Sequence, residues 1–473
     1  MESLITLAFG AVALTLFVAT LWRPVIGLAT LAIAVPLTTG MGRGTVIPLL
    51  RPNEALLIVV VAALVVEALL RPQVAFLSAR LGPAAQAQGP KRPRRWTGMD
   101  VAVVGFTVGG TVIPFLTLWL GRTPIDASTA QSILSPLQFL VLYGIFRYLP
   151  LSNRDIRLCL NLAMAASVVI AVLAVAQVLQ VAPVTSFLDT FFPSPPPPSW
   201  DPIQRPNATL GLYSSVGAFC MLNYALALSF TAVRSRDFHP VWLGLVMAFD
   251  VVGVLASQTW APAVGLVLAT IVILVYTRRI PWQTWIGVAG VSVALALFGA
   301  QVANRIADQG VTVGGNFLIP ETMRYRMMLW EDFYLPSLAQ SPWVGTGTLL
   351  PAVVPEELDV QVDNEYLRVA YRAGVVGVVL LAILLVSVGL TGWRARERED
   401  LLVRALGAAA LAYVVAAAVM GITEEYLAYG GVGQQVAIVL GVFAGLYTRP
   451  RLVTAAARPE PAARVRVIKV GVS

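Results

Sequence analysis

Apolar residues run along this chain in long stretches rather than in strict alternation. A helix that crosses a bilayer needs roughly 20 of them. Runs of that order fall at about 4–22, 25–38, 53–70, 99–120, 131–149, 158–179, 208–233, 240–257, 261–277, 282–302, 366–390, 401–421 and 431–447. The second is short enough to be re-entrant, so the pattern predicts 12 or 13 spans. The fold class expected is an all-α polytopic membrane protein, a helix bundle with a long loop before the third-last span. The first run has Glu2 and no basic flank before it, and Trp22-Arg23-Pro24 is a poor cleavage site, so it reads as a retained span.

Composition agrees. The chain is 58% hydrophobic and 12% charged, against about 25% charged in soluble proteins. The excess apolar surface must face lipid. Cys159 and Cys220 lie inside apolar runs and read as small buried hydrophobes. His239 is the sole histidine, whereas a catalytic zinc usually takes two or three. The formal charge is +8, and its placement decides its meaning.

Basic residues fall in alternate loops. Lys91, Arg92, Arg94 and Arg95 share one; Arg154 with Arg157, Arg234 with Arg236, Arg278 with Arg279, and Arg394 with Arg396 and Arg398 mark others; the tail is basic too. The positive-inside rule places these in the cytoplasm. The basic balance is therefore topological, and charges dispersed over many loops do not suit nucleic acid. Residues 1–448 are expected to form the transmembrane domain. Its linker at 71–98, rich in Ala, Gln, Pro and Arg, would be cytoplasmic and flexible, and 449–473 would be a disordered cytoplasmic tail. The two long loops facing outside are 181–207 and 303–365. The second holds nine acidic residues and only Arg305, Arg324 and Arg326 as bases. No internal repeat suggests an inverted-repeat transporter.

Candidate chemistry gathers in those outer loops. Pro195–Pro198 predicts a stiff extended segment that holds the first loop to the surface. Arg205 stands where the chain re-enters the membrane. It can bind a phosphate oxygen through its fork of donors or snorkel to lipid phosphate. In the second loop Met327, Trp330, Tyr334 and Leu335 suit one face of an amphipathic helix. Gly345 and Gly347, after Pro342-Trp343-Val344, suggest a tight turn or a close backbone approach. Asp363 suits the N-cap of the next span, or a site. Asn364, Arg368 and Arg372 follow at spacing four and share a helix face. Arginines there are costly against lipid, so a polar cavity is expected. Glu424 and Glu425 read as solvated, and Asp250 as either a packing contact or a site residue.

The chain resembles the O-antigen ligase and polymerase family of membrane glycosyltransferases. Three features carry the resemblance: Arg205-Pro206-Asn207 leading into a span; Arg326 four residues before Trp330, followed by Pro342-Trp343-Val344-Gly345-Thr346-Gly347; and Asp363-Asn364, nine residues, then Gly374-Val375-Val376-Gly377. Family ligases have a histidine where Asp363 stands, and many members have an arginine where Trp260 stands. The resemblance implies a GT-C-like bundle in the bacterial cytoplasmic membrane with its active site outside. It implies a glycan on polyprenyl (undecaprenyl) diphosphate as donor, a glycan or lipid as acceptor, and no cofactor or metal. Arg205 and Arg326 would stabilise the leaving diphosphate and Asp363 would act on the acceptor hydroxyl, with Arg324, Asn364, Arg368 and Arg372 binding substrate. The aspartate favours a polymerase of lipid-linked repeat units. A ligase transferring the glycan to lipid A-core or another acceptor is the alternative, and a transporter or flippase is the rival of another class.

Overall fold

The computed structural model describes residues 2–44, 47, 50–81, 95–193, 205–308, 321–347 and 362–449. The described chain is almost wholly helical. Its elements are α1 (Glu2–Trp22), α2 (Pro24–Thr38), α3 (Pro52–Leu81), α4 (Gly98–Leu120), α5 (Ala127–Tyr148), α6 (Asn153–Val178), α7 (Ala182–Phe191), α8 (Tyr213–Val233), α9 (Pro240–Ala256), α10 (Trp260–Thr277), α11 (Thr284–Asp308), α12 (Glu321–Leu329), α13 (Leu335–Ala339), α14 (Glu365–Arg394), α15 (Leu401–Met420) and α16 (Val432–Tyr447). Among the described residues eight helices are long and apolar enough to cross a membrane, and five shorter apolar helices accompany them. Together these match the 13 apolar runs of the sequence one for one. The protein is a polytopic membrane protein.

α8 forms the centre. A helix that is apolar all round is a core helix, and α8 packs against α6, α9, α10, α15 and α16 with its whole length buried. Asn223, Ser229 and Thr231 turn back on the helix backbone, Ser229 by donating to the Ala225 carbonyl at 2.7 Å. Helix ends follow local chemistry. Thr97 and Ser152 form capping boxes with Asp100 and Asp155 at the starts of α4 and α6. Arg234 and Arg278 close α8 and α10 in the left-handed conformation.

Several expectations shift. The predicted linker at 71–98 begins later, because α3 continues through Leu81; residues 71–81 are mostly good helix formers. The loop 181–207, expected outside, contains α7. The Pro195–Pro198 run, and the tail from 450 on, lie outside the described residues. α8 starts at Tyr213, not near 208, because Ala208 and Gly211 have positive φ and turn the chain first. The amphipathic face in 327–335 is also altered. A π-turn at Trp330–Tyr334 separates α12 from α13, and its extra residue rotates the turn after it. Leu329 and Tyr334 are buried while Leu335 is exposed.

One end of the bundle is closed by a saturated ion pair. Arg147 is fully buried. Its Nε donates to Asp100 at 2.8 Å, its Nη1 to Thr448 at 2.8 Å and its Nη2 to the Arg95 carbonyl at 3.1 Å. Tyr143 donates to the same carboxylate at 2.6 Å, and Thr97 adds donors from its amide and hydroxyl at 2.7 Å. α4, α5 and the end of α16 are tied together there.

Candidate functional site

The opposite end is organised by a break in α14. Gly374 has φ 65° and ψ −163° inside the helix, a conformation essentially confined to glycine. A Cβ there would lie 2.1 Å from the Trp343 backbone. The Pro342–Gly347 segment fills the gap. Val375 N donates to the Pro342 carbonyl at 2.9 Å and Val376 N to that of Trp343 at 3.3 Å. Thr346 returns its amide to the Tyr371 carbonyl at 2.7 Å and its hydroxyl to the same atom at 3.0 Å. Gly345 allows this approach, since a Cβ there would meet Tyr371 O at 2.6 Å. Two motifs distant in sequence thus satisfy each other's backbone. Inside a membrane domain, broken helix is tolerated only where such groups are paired.

This docking sets the start of α14. Asn364, not Asp363, is the N-cap: its side chain accepts from Leu367 N at 2.9 Å and donates to the Ile422 carbonyl at 3.0 Å. Asp363 has φ 47°, which turns its carboxylate out of the capping position. It pairs with Arg326 instead, accepting from Nε and Nη2 at 2.9 Å each. Trp330, a turn beyond Arg326, donates to the Val362 carbonyl at 2.7 Å and so anchors α12 to this segment. Arg326 also reaches Glu424 at 3.6 Å, and the Tyr429 hydroxyl donates to Glu424. The Arg326 and Asp363 side chains are 20% and 22% exposed, whereas Glu424 is 5%. A ligand can therefore reach the Arg–Asp pair, with Glu424 behind it.

Arg205 joins from another element. Its guanidinium lies over the Tyr213 ring, 4.0 Å from the centroid, and its charge acts on Glu424. The neighbouring Asn207 fixes the segment. It is buried, donates to the Phe192 carbonyl at 2.8 Å and accepts from Gln177 at 2.8 Å, while Ala208 N donates to the Gln177 side chain at 2.7 Å. A second ionic group adjoins: Arg368 pairs with Glu365 and reaches Glu425 at 3.6 Å, and Leu427 N donates to Glu365 at 3.1 Å. Arg372 is buried and donates to the Ser132 carbonyl of α5 at 3.1 Å.

The fold thus gathers Arg205, Arg326 and Asp363, with Asn364 capping the helix beside them. Arg368 and Arg372 point to a neighbouring cavity, and Arg324 is exposed on α12 without joining the cluster. Trp260 is half exposed at the start of α10. The sequence pattern does not reveal the role of the loop between α15 and α16. Glu424 is buried rather than solvated, together with Tyr426 and Tyr429. The available signal was two acids followed by two tyrosines in a short polar loop between spans. Burial pushes the Glu424 carboxyl up to about 7; Asp363 adds to this, while Arg326, Tyr429 and Arg205 oppose it. Burial also pushes Glu425 up to about 8, against the pull of Arg368. Asp250 is fully buried in α9, among residues of the central core.

An arginine–carboxylate cluster thus stands at one end of a polytopic membrane bundle. The family model described as O-antigen ligase matches residues 243–382. That stretch includes Arg326, Asp363, both motifs that meet at Gly374, and the start of α14. The match spans 140 of the 473 residues, and over that stretch the chain is similar to the O-antigen ligase/polymerase family, which supports a function of the membrane glycosyl-transfer type. No curated protein matches the chain.

Proposed function

We propose that the protein polymerises oligosaccharide repeat units carried on polyprenyl diphosphate, at the extracytoplasmic face of a bacterial cytoplasmic membrane. The observation that carries this reading is the partly exposed Arg326–Asp363 pair, with Arg205 close enough to act on the same buried glutamate. A glycosyl diphosphate needs little more than charge stabilisation to leave. As the bond from sugar C1 to the phosphate oxygen breaks, Arg205 and Arg326 neutralise the charge on the departing diphosphate. The acceptor hydroxyl attacks C1 from the opposite face and its proton passes to Asp363. An adjacent guanidinium makes a carboxylate a poor base. Donor binding relieves this: as Arg326 turns toward the diphosphate, Asp363 loses its counter-charge and becomes able to take the proton. Glu424, held by the Tyr429 hydroxyl, stands behind Arg326 as it turns. The arginines supply the cationic work and the scheme calls for no metal or cofactor. The bilayer presents both lipid-linked substrates, and nucleic acid has no part.

The test uses purified protein with a synthetic polyprenyl-diphosphate oligosaccharide, EDTA and no other acceptor. A ladder of longer glycans, abolished by Arg326→Ala and by Asp363→Ala, is the expected result. Transfer that appears only after an acceptor lipid is added would make the protein a ligase. No turnover with any acceptor would sink the transferase reading and favour a transporter or flippase.

A further inference from the structure

A cavity of about 160 Å³ lies between α3, α4, α5, α14 and the loop before α16. It is distinct from the Arg205–Arg326–Asp363 cluster, none of whose members line it. Arg372 is eight residues beyond the cap of α14, so the cavity reaches about 12 Å deeper along that helix. Its ionic lining is unbalanced: Arg43, Arg51, Arg368 and Arg372 face it, against Glu54 alone. Two of the four are neutralised. Arg43 pairs with Glu54 at 2.8 Å, and Arg368 with Glu365 and Glu425.

Arg51 and Arg372 are not. Among the described residues neither has a carboxylate in ion-pair reach. The Arg51 Nε is buried with no hydrogen-bond partner, and its Nη1 lies 3.8 Å from where a Cβ at Gly430 would stand. Arg372 donates to a backbone carbonyl, that of Ser132. Arg372 is buried and Arg51 half-buried, with Glu54, Glu365 and Glu425 acting on them only at a distance; taking a cation from water without a direct ion pair is costly, and an anion in the cavity offsets that cost. Gln138 is held at the wall by Gln434 at 2.8 Å, and in turn donates to Glu54 at 3.4 Å. Thr39, Asn53 and Ser135 add polar groups to the lining, and Phe106, Gly110, Pro136 and Phe139 form an apolar stretch of wall. A cationic floor with an aromatic wall, set among membrane-spanning helices, matches an amphiphile with an anionic phosphate rather than a free anion.

We infer that this cavity is a second phosphate site, in which Arg51 and Arg372 bind the phosphate of an amphiphile seated against Phe106 and Phe139. If the transferase reading above holds, the occupant is the second lipid-linked substrate. Tyr429 lines the cavity and also donates to Glu424, so occupancy would be felt at the reacting cluster.

The test is calorimetric titration of the full-length protein, in phosphatidylcholine nanodiscs, with farnesyl diphosphate. Two molecules per wild-type chain are expected. Arg51→Gln/Arg372→Gln should lose one, Arg326→Ala the other. Gly110→Met, which fills the apolar wall without touching a charge, should also lose the first; a Cβ there has only Pro136 as a neighbour, at 3.8 Å. Each variant is first checked for an unchanged melting profile. A single site in the wild type, or two sites in both cavity variants, overturns the inference. Equal binding of inorganic diphosphate also overturns it, by showing that the apolar wall is idle. Displacement when phosphatidylglycerol replaces phosphatidylcholine keeps the shared chemistry and assigns the source to a bilayer headgroup. Transfer is assayed separately. Two sites without turnover count against the transferase reading alone, and turnover with one site counts against the second site alone.

Discussion

Two arginine–aspartate pairs stand at opposite ends of α16, which at 1.5 Å per residue separates them by about 24 Å. At one end Arg147 and Asp100 are 0% and 1% exposed and saturated with donors and acceptors from three segments of chain. At the other, Arg326 and Asp363 make a pair of the same chemistry but remain about one-fifth exposed, with Glu424 competing for the arginine. The difference lies in the bonding capacity left over. The first pair has none for a ligand, and its role is to hold helices together. The second combines reach, charge and a carboxyl that burial pushes up to about 7. An ion pair in a membrane protein is thus read by its unsatisfied remainder rather than by its residue types.

That comparison can be broken by four measurements. The largest change in stability should come from Arg147→Ala. It leaves the buried Asp100 without its cation, with only Tyr143 and Thr97 as donors, at a cost of about 3–5 kcal/mol, seen as loss of folded protein in detergent melts. Replacing both partners by Met and Leu should recover much of it, since a buried pair is often no better than apolar packing. If Arg147→Ala melts like wild type, the structural assignment is wrong. Arg326→Ala should show the converse: melting close to wild type, but transfer reduced by roughly 10²–10³-fold, the usual cost of losing one group that stabilises transition-state charge. Asp363→Asn should reduce transfer by roughly 10²-fold or more, and no second change at Arg326 should restore it. Single-turnover assays with saturating donor would check this, and a variant as fast as wild type would remove Asp363 from the chemistry.

The smallest effect concerns pH. The Glu424 carboxyl, raised by burial to about 7, is protonated below that value and ionised above it. Only the ionised form holds Arg326 by charge. Transfer should therefore climb as pH rises through about 7, and Glu424→Gln should flatten that limb at a cost of a few-fold above pH 8. A Glu424→Gln profile that keeps the same limb would assign the titration elsewhere.

Much of the site was legible in the chain, but not its wiring. Arg205, Arg326 and Asp363 could be picked out because charges are rare here and outer-loop arginines rarer. Asp363 was also a plausible cap, and only its backbone, at φ 47°, hands that role to Asn364. Glu424 read as solvated because two acids in a short loop usually are. It is buried by Tyr426 and Tyr429 folding beside it, a contact with no trace in spacing. Arg51 carries no sequence signal for the same reason, since its partner in the cavity is 321 positions away at Arg372.

The sequence by itself determined the class: 13 apolar runs and alternating basic loops are one-dimensional signals, because a bilayer reads each segment by its own length and charge. It also singled out candidate motifs, through residues costly to keep in lipid. Only the tertiary structure decided that Pro342–Gly347 plugs the break at Gly374, that Arg326 chooses Asp363, and that two arginines from α14 and the α3 entrance share one cavity. Those outcomes depend on how helices far apart in the chain close against one another. Inside a membrane every broken backbone bond and buried charge must find its partner across that packing.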